Sequence, residues 1–323
     1  ARKKAPMSML LTSRWTGAAH LEAARTRTTE IDVDHLYLGL LAVGGQAARI
    51  LGRHGVSLTS ARRRVREALI DDLATLGLQA TGDVVPPPKA ARELDFADWR
   101  ATSRAHDLVN RAPLRKGTAA ALATLIAEPS GVVRHLLVTD GVDPDQLMTE
   151  LASAPTEPDP VERVAYDPSL LPAPAWAKRL RHYLSSPPDL VADAIADAAL
   201  LAAWAYDPNK AQVDDSGETI RHTRGSRTMT VRAHHTRRRE GEAEVVTWIQ
   251  EVASGAHAGQ PLCYDRFVVA AAPGGTELLH TAGQRSFGLL GRLTAPLAGW
   301  FSWVGMQYAA QRIGLEVADR QAA

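Results

Sequence analysis

The 323-residue sequence holds a single cysteine, Cys263. With no second thiol there is no internal disulfide, and no His/Cys spacing makes a zinc set, so the expected setting is a reducing cytoplasm. Charge of one sign is missing as well. Lys and Arg total 37 against 36 Asp and Glu, which removes the global field that draws a protein to nucleic acid or anionic membrane. Aromatic residues make up only 5% and do not interleave with the basic runs Arg62-Arg63-Arg64-Val65-Arg66 and Arg237-Arg238-Arg239. Both runs therefore read as solvated surface, with no nucleic-acid partner expected.

Long hydrophobic runs are scarce too. Met7 to Leu11 is too short for a signal-peptide core. Leu293 to Ala310 barely reaches the ~18 to 20 residues that a membrane span needs, and Pro296, Gly299 and Gly305 interrupt it. It reads first as a buried or groove-lining helix, with an interfacial membrane helix and a span as the alternatives. No lysine follows a glycine, so there is no phosphate loop in these residues, and neither a Gly-x-Ser-x-Gly elbow nor a His-Glu-x-x-His zinc helix occurs. No catalytic residue, metal or cofactor is expected.

What the chain does have is 45% hydrophobic residues, in the range of soluble globular proteins, and enough length for two cores. In residues 7–152 the apolar positions recur at three- and four-residue intervals: Leu36, Leu40 and Leu41, then Ala47, Ile50 and Leu51, then Leu58, Val65 and Leu69. These are short amphipathic helices, broken at Gly44-Gly45 and Gly55. The order then repeats. A shift of about 85 residues lays Ile50-Leu51, Gly55-Val56 and Ser57 over Leu136-Leu137, Gly141-Val142 and Asp143. A stiff connector, Gly77 to Pro88, separates the copies.

A linker rich in proline and acid, residues 153–174, sets the domain boundary. Beyond it, in residues 175–323, Leu190 to Tyr206 reads as an alanine-rich helix. Arg227 to Thr236, Glu244 to Val252, Leu262 to Ala272 and Glu277 to Thr281 read as strands of an antiparallel meander, with Leu289 to Ile313 as a closing helix. The expected fold is an all-α domain of two tandem helical repeats followed by an α+β domain with an antiparallel sheet.

Glu22-Ala23-Ala24-Arg25, and Ile31-Asp32-Val33-Asp34-His35-Leu36-Tyr37-Leu38-Gly39-Leu40-Leu41 after it, carry a resemblance. They are similar to the repeat of the N-terminal domain of Clp unfoldases, usually written Ile-Gly-Thr-Glu-His-Leu-Leu-Leu-Gly-Leu. In some members of that family the Thr-Glu pair receives phosphorylated arginine or other degradation signals. By position this implies Val33 and Asp34 in the first copy, and Thr118 and Ala119 in the second, as ligand- or peptide-binding residues. Neither copy keeps the Thr-Glu pair, and Ala120 stands where the second copy would have its histidine. His35, near a helix start, reads as a structural residue that satisfies local backbone groups.

The resemblance implies a binding protein of the quality-control and proteolysis machinery: an adaptor, decoy or accessory factor. Its partners would be Clp ATPase or protease components or their client proteins. The alternative places the function in the second domain, as a small-molecule-binding or enzymatic unit recruited by the first. There Trp248, Tyr264, Phe267, Trp300 and Trp303 are candidates to line a pocket for a small hydrophobic ligand. His234, His235, His257, Cys263, Asp265 and His280 are the polar groups nearest to it in sequence, and on an alternating strand His234 and His235 point to opposite faces.

Overall fold

The computed structural model describes residues 6–79, 100–155, 161–206 and 211–322, apart from 215, 217, 225, 226 and 256. Most of the expected connector before Pro88 lies outside the described residues. The first helical repeat comprises α1 (Pro6–Arg25), α2 (Val33–Val43), α3 (Gly45–Arg53) and α4 (Leu58–Thr75). The second comprises α5 (Ser103–Arg111), α6 (Thr118–Ile126), α7 (Val132–Thr139) and α8 (Pro144–Ser153). Two short parallel strands, β1 (Glu30–Ile31) and β2 (Arg100–Ala101), tie the starts of the repeats together.

Every residue of α2 except Asp34 is buried. A helix apolar all round belongs at the centre of a core, and α1, α3, α4, α6 and α7 surround it. Its start is fixed locally. The Asp32 side chain accepts from Val33 N at 2.9 Å, and Asp32 N donates to His35 Nδ1 at 3.1 Å. Arg104 and Thr102 of the second repeat also bond the Asp32 carboxylate. Gly39 is required by close packing: a Cβ there would lie 2.6 Å from the backbone nitrogen of Ala19 on α1.

The second domain is an eight-stranded antiparallel sheet in the order β3-β4-β10-β9-β8-β7-β6-β5. Its strands are β3 (Val161–Val164), β4 (Ala175–Leu184), β5 (Ala211–Val213), β6 (Thr219–Arg224), β7 (Arg227–Glu240), β8 (Ala243–Val252), β9 (Pro261–Ala272) and β10 (Gly275–Arg285). Within the stretch read as a linker, β3 pairs with β4, and Leu171 is fully buried. The single helix expected over 190–206 is divided into α9 (Pro188–Ala196) and α10 (Leu201–Ala205). The break falls at Asp197, whose carboxylate accepts from Ala199 N at 2.9 Å and so starts a new turn.

One face of the sheet is covered by α9, α10 and the long closing helix α11 (Gly288–Ala322). Val191, Ile195, Trp204, Met306, Ala310 and Ile313 from these helices pack against Leu180, Val246, Trp248, Phe267, Val269 and Leu278. Among the described residues no helix is long and apolar enough to cross a membrane.

The two domains are packed against each other through α11 and the β9–β10 hairpin. Leu315 and Ala318 of α11, and Tyr183 of β4, belong to the same apolar cluster as the helical repeats. Around them Arg14 donates to Gln311 Oε1 at 3.1 Å and to Gln307 Oε1 at 2.9 Å. Arg49 donates to Glu277 at 2.5 Å, and Leu58 N donates to Ser185 Oγ at 3.1 Å.

Candidate functional site

The ligand-binding positions implied in the two repeats do not converge on one pocket. Val33 is buried, and Asp34 accepts from the backbone N–H of His35 at 2.8 Å. Thr118 is buried too, its hydroxyl accepting from Ala47 N at 3.0 Å and so capping the start of α3. Ala119 alone of the four lines a groove.

That groove, of about 660 Å³, lies on the second repeat. Its floor is the outer face of α6, where Ala119, Ala120, Ala123 and Ala127 follow helical spacing. One wall is Leu108 and Arg111 of α5 with Lys116 beyond it, and the other is Met148 and Leu151 of α8. Sequence reading missed the groove, although the alanine stripe that makes room for it is visible in the sequence. Arg111 and Lys116 are exposed and form no ion pair with a described residue.

The corresponding groove of the first repeat lies between α1, α2 and α4, and it is filled by α11. Asp319 of α11 bonds Arg62 of α4 at 3.0 Å and also Arg25 of α1, while Arg62 donates to Glu22 at 2.9 and 2.5 Å. All four groups are largely removed from solvent, so the network works as a clamp on α11.

A second cavity, about 270 Å³, opens between the covered face of the sheet and α11. Cys263 and Asp265 of β9, His280 of β10, Gln250 of β8, and Tyr206, Met306 and Ala309 from the helical side border it. Three of the six polar candidates are thus brought together, while His234, His235 and His257 are exposed elsewhere. His280 Nε2 bonds Asp265 Oδ1 at 2.8 Å, and its ring stacks on Phe267 with centroids 4.1 Å apart. Its other ring nitrogen, Nδ1, is buried with no hydrogen-bond partner among the described residues. Burial, with the Asp265 charge adding, pushes the Cys263 thiol well above its ordinary range, so it is no ready nucleophile.

Of the aromatic candidates, Trp248 and Phe267 are core residues: Trp248 Nε1 donates to Ile195 O at 2.8 Å, and Trp204 meets Phe267 edge-on. Tyr264, between Cys263 and Asp265 on β9, is buried and also borders the cavity. Its hydroxyl accepts from Asp167 N at 3.2 Å. Trp303 is half-buried on α11, and the side chain of Trp300 lies outside the described residues. No group of three or more metal-binding side chains occurs among the described residues.

Among the described residues, the first helical repeat thus has its groove occupied by α11, and the groove of the second repeat is lined but not filled. Residues 15–114 match the family model described as the Clp repeat (R) N-terminal domain. The match ends at Leu114, before α6, so the second repeat rests on the internal alignment and the matching helix order. No curated protein matches the chain. Solved structures similar to part of it include protein Ms6760 from Mycobacterium smegmatis, at 16% identity over 48% of this chain and 95% of that one, TM-score 0.33. Protein CV1439 from Chromobacterium violaceum has 18% identity over 43% and 96%, TM-score 0.31. CalU16 from Micromonospora echinospora has 18% identity over 50% and 94%, TM-score 0.25.

Proposed function

We propose that this chain is a Clp-associated binding protein that acts as an adaptor, decoy or accessory factor. It engages Clp ATPase or protease components or their client proteins through the second repeat. The observation that carries this reading is the asymmetry between the repeats: α11 fills the first groove, and the second, floored by alanines, is open among the described residues. Such a module acts by differential binding, shifting the occupancy of whatever it holds. The test uses the full chain, because α11 contributes to the core of the helical domain. Purified chain is titrated with a purified Clp ATPase and with a urea-unfolded client, and binding of at least one is expected. Ala127→Trp, which places a bulky ring in the groove from an exposed position, should abolish it. Binding of neither would sink the reading.

A second reading is favoured by one observation: His280 is buried with Nδ1 unpartnered beside a cavity of about 270 Å³. We propose that this cavity of the sheet domain takes a small, largely apolar molecule with one group that hydrogen-bonds the imidazole. A fluorescent apolar probe should bind the full chain and be released by His280→Leu. Equal binding by both proteins would remove the site.

A further inference from the structure

We infer that the open groove of the second repeat docks an amphipathic α-helix of a partner protein, one that presents an aliphatic stripe and a carboxylate. The inference rests on the reading of this domain as a binding module, and goes beyond it by naming the shape and charge of what is bound.

The internal repeat supplies the occupant. In the same alignment α5, α6 and α8 stand where α1, α2 and α4 stand in the first copy. Ala123 takes the place of Leu38, Ala127 that of Ala42, Met148 that of Arg62 and Leu151 that of Val65. The first copy of this groove holds a helix: α11 lies along α2 and α4, buries Leu315 and Ala318, and is gripped by cations through Asp319. The second copy keeps the three-helix geometry, and its smaller floor residues deepen the trough.

Charge points the same way. Arg111 and Lys116 stand exposed at the end of the groove formed by α5 and the turn after it, with no ion pair to a described residue. The acid on the rim, Glu128, is engaged by Ser130, whose N–H donates to it at 3.0 Å. Two exposed cations against one buried, serine-bonded carboxylate leave the rim net positive, which suits a carboxylate as Arg25 and Arg62 suit Asp319. An extended peptide would need backbone partners, but the walls are helices whose central N–H and C=O groups are already paired, and they offer no sheet edge. A second copy of this chain is a poor occupant, since its α11 is already clamped in its own first repeat.

The test is fluorescence anisotropy with the full chain and labelled peptides of about five helical turns. One carries leucines and alanines at helical spacing with glutamates at one flank. A second has lysines in place of the glutamates. A third keeps the composition but is broken by two prolines. The acidic helix should bind, and the other two should bind at least about tenfold more weakly. Arg111→Glu together with Lys116→Glu should reverse the preference between the acidic and basic peptides, and Ala127→Trp should abolish binding. These positions are exposed, and circular dichroism verifies that the variants fold. Equal binding of the proline-broken peptide, indifference to charge reversal, or binding that survives Ala127→Trp would each overturn the inference. So would self-association lost in Ala127→Trp, which would make the occupant a second copy. Should the full chain hold a Clp ATPase or unfolded client while no helical peptide binds, this inference fails and the proposed function stands.

Discussion

Gly52 of α3 and Gly274 of the β9–β10 hairpin meet backbone to backbone where the helical repeats dock on the sheet. A Cβ built on Gly274 would lie 2.6 Å from the Gly52 Cα and closer still to its carbonyl, and Gly274 has φ +73°. Next to them the Tyr183 hydroxyl donates to Pro273 O at 3.0 Å, and the Arg49 guanidinium covers the Tyr183 ring. Gly274→Ala should cost about 2 to 4 kcal/mol, from overpacking plus the strain of a left-handed alanine. Gly52→Ala, whose methyl would meet the Tyr183 hydroxyl, should cost about 1 to 3 kcal/mol. Urea denaturation measures both. Because each acts by forcing the same contact apart, the double variant should lose less than the sum; full additivity would show that the contact is not shared.

The clamp on α11 gives a second test. Asp319→Ala leaves Arg25 and Arg62 beside a single carboxylate, Glu22, in a region that water barely reaches. Removing one partner from such a buried network typically costs about 3 to 5 kcal/mol. The expected result is a large drop in the urea midpoint, with proteolysis in α11 setting in at lower protease concentration. Exposed Glu218→Ala is the control, and equal behaviour of the two variants would show that the network holds nothing.

The helical domain was legible because its signals are local. Leucine spacing and the breaks at Gly44-Gly45 and Gly55 lie within or beside single elements, and the same order returns about 85 residues on. The four expected strands match β7 to β10, since hairpin chemistry at Gly241 and Pro273-Gly274 marks their ends. What was not legible depends on distant partners. Strands β3 and β4 sit in or beside a proline-rich stretch, and only pairing with β10 makes them the far edge of the sheet. Val33 and Thr118 look like binding residues by position, yet packing buries them, because the face that becomes a groove depends on which neighbours α6 lacks. Cys263, Asp265 and His280 share a face through strand alternation and register, and that could be read only once β9 was paired with β10.

His182 gives a pH dependence with a definite sign. Burial, reinforced by the charges of Arg14 and Arg49, lowers its pKa from 6.5 to about 3, and a Cβ on Gly44 would lie 2.7 Å from its Nε2. The folded chain thus holds the ring neutral, while the unfolded chain takes up a proton below pH ~6.5. Its contribution to stability is complete above that pH and is lost as pH falls, at about 1.4 kcal/mol per unit, until the folded pKa is reached. Between about pH 6 and pH 4, which lies between the unfolded and folded values, His182→Phe should show a shallower loss of stability than the parent, by about one proton. Parallel slopes would mean that His182 does not carry the dependence.

His35 separates folding from binding. Asp32 N donates to its Nδ1 at 3.1 Å, and Nε2 lies 3.2 Å from the Thr28 hydroxyl, itself donating to Ala23 O. The ring joins the end of α1 to the start of α2. His35→Ala orphans the Asp32 N–H and opens a cavity, at an expected cost of about 2 kcal/mol. The second repeat manages without such a ring, since Ala120 takes this place and Gly117 begins α6 with no side-chain cap. The His35→Ala chain should therefore unfold at lower urea yet bind partner or peptide in the second-repeat groove with unchanged affinity. Lost binding in a variant that remains folded would move His35 from the scaffold to the site.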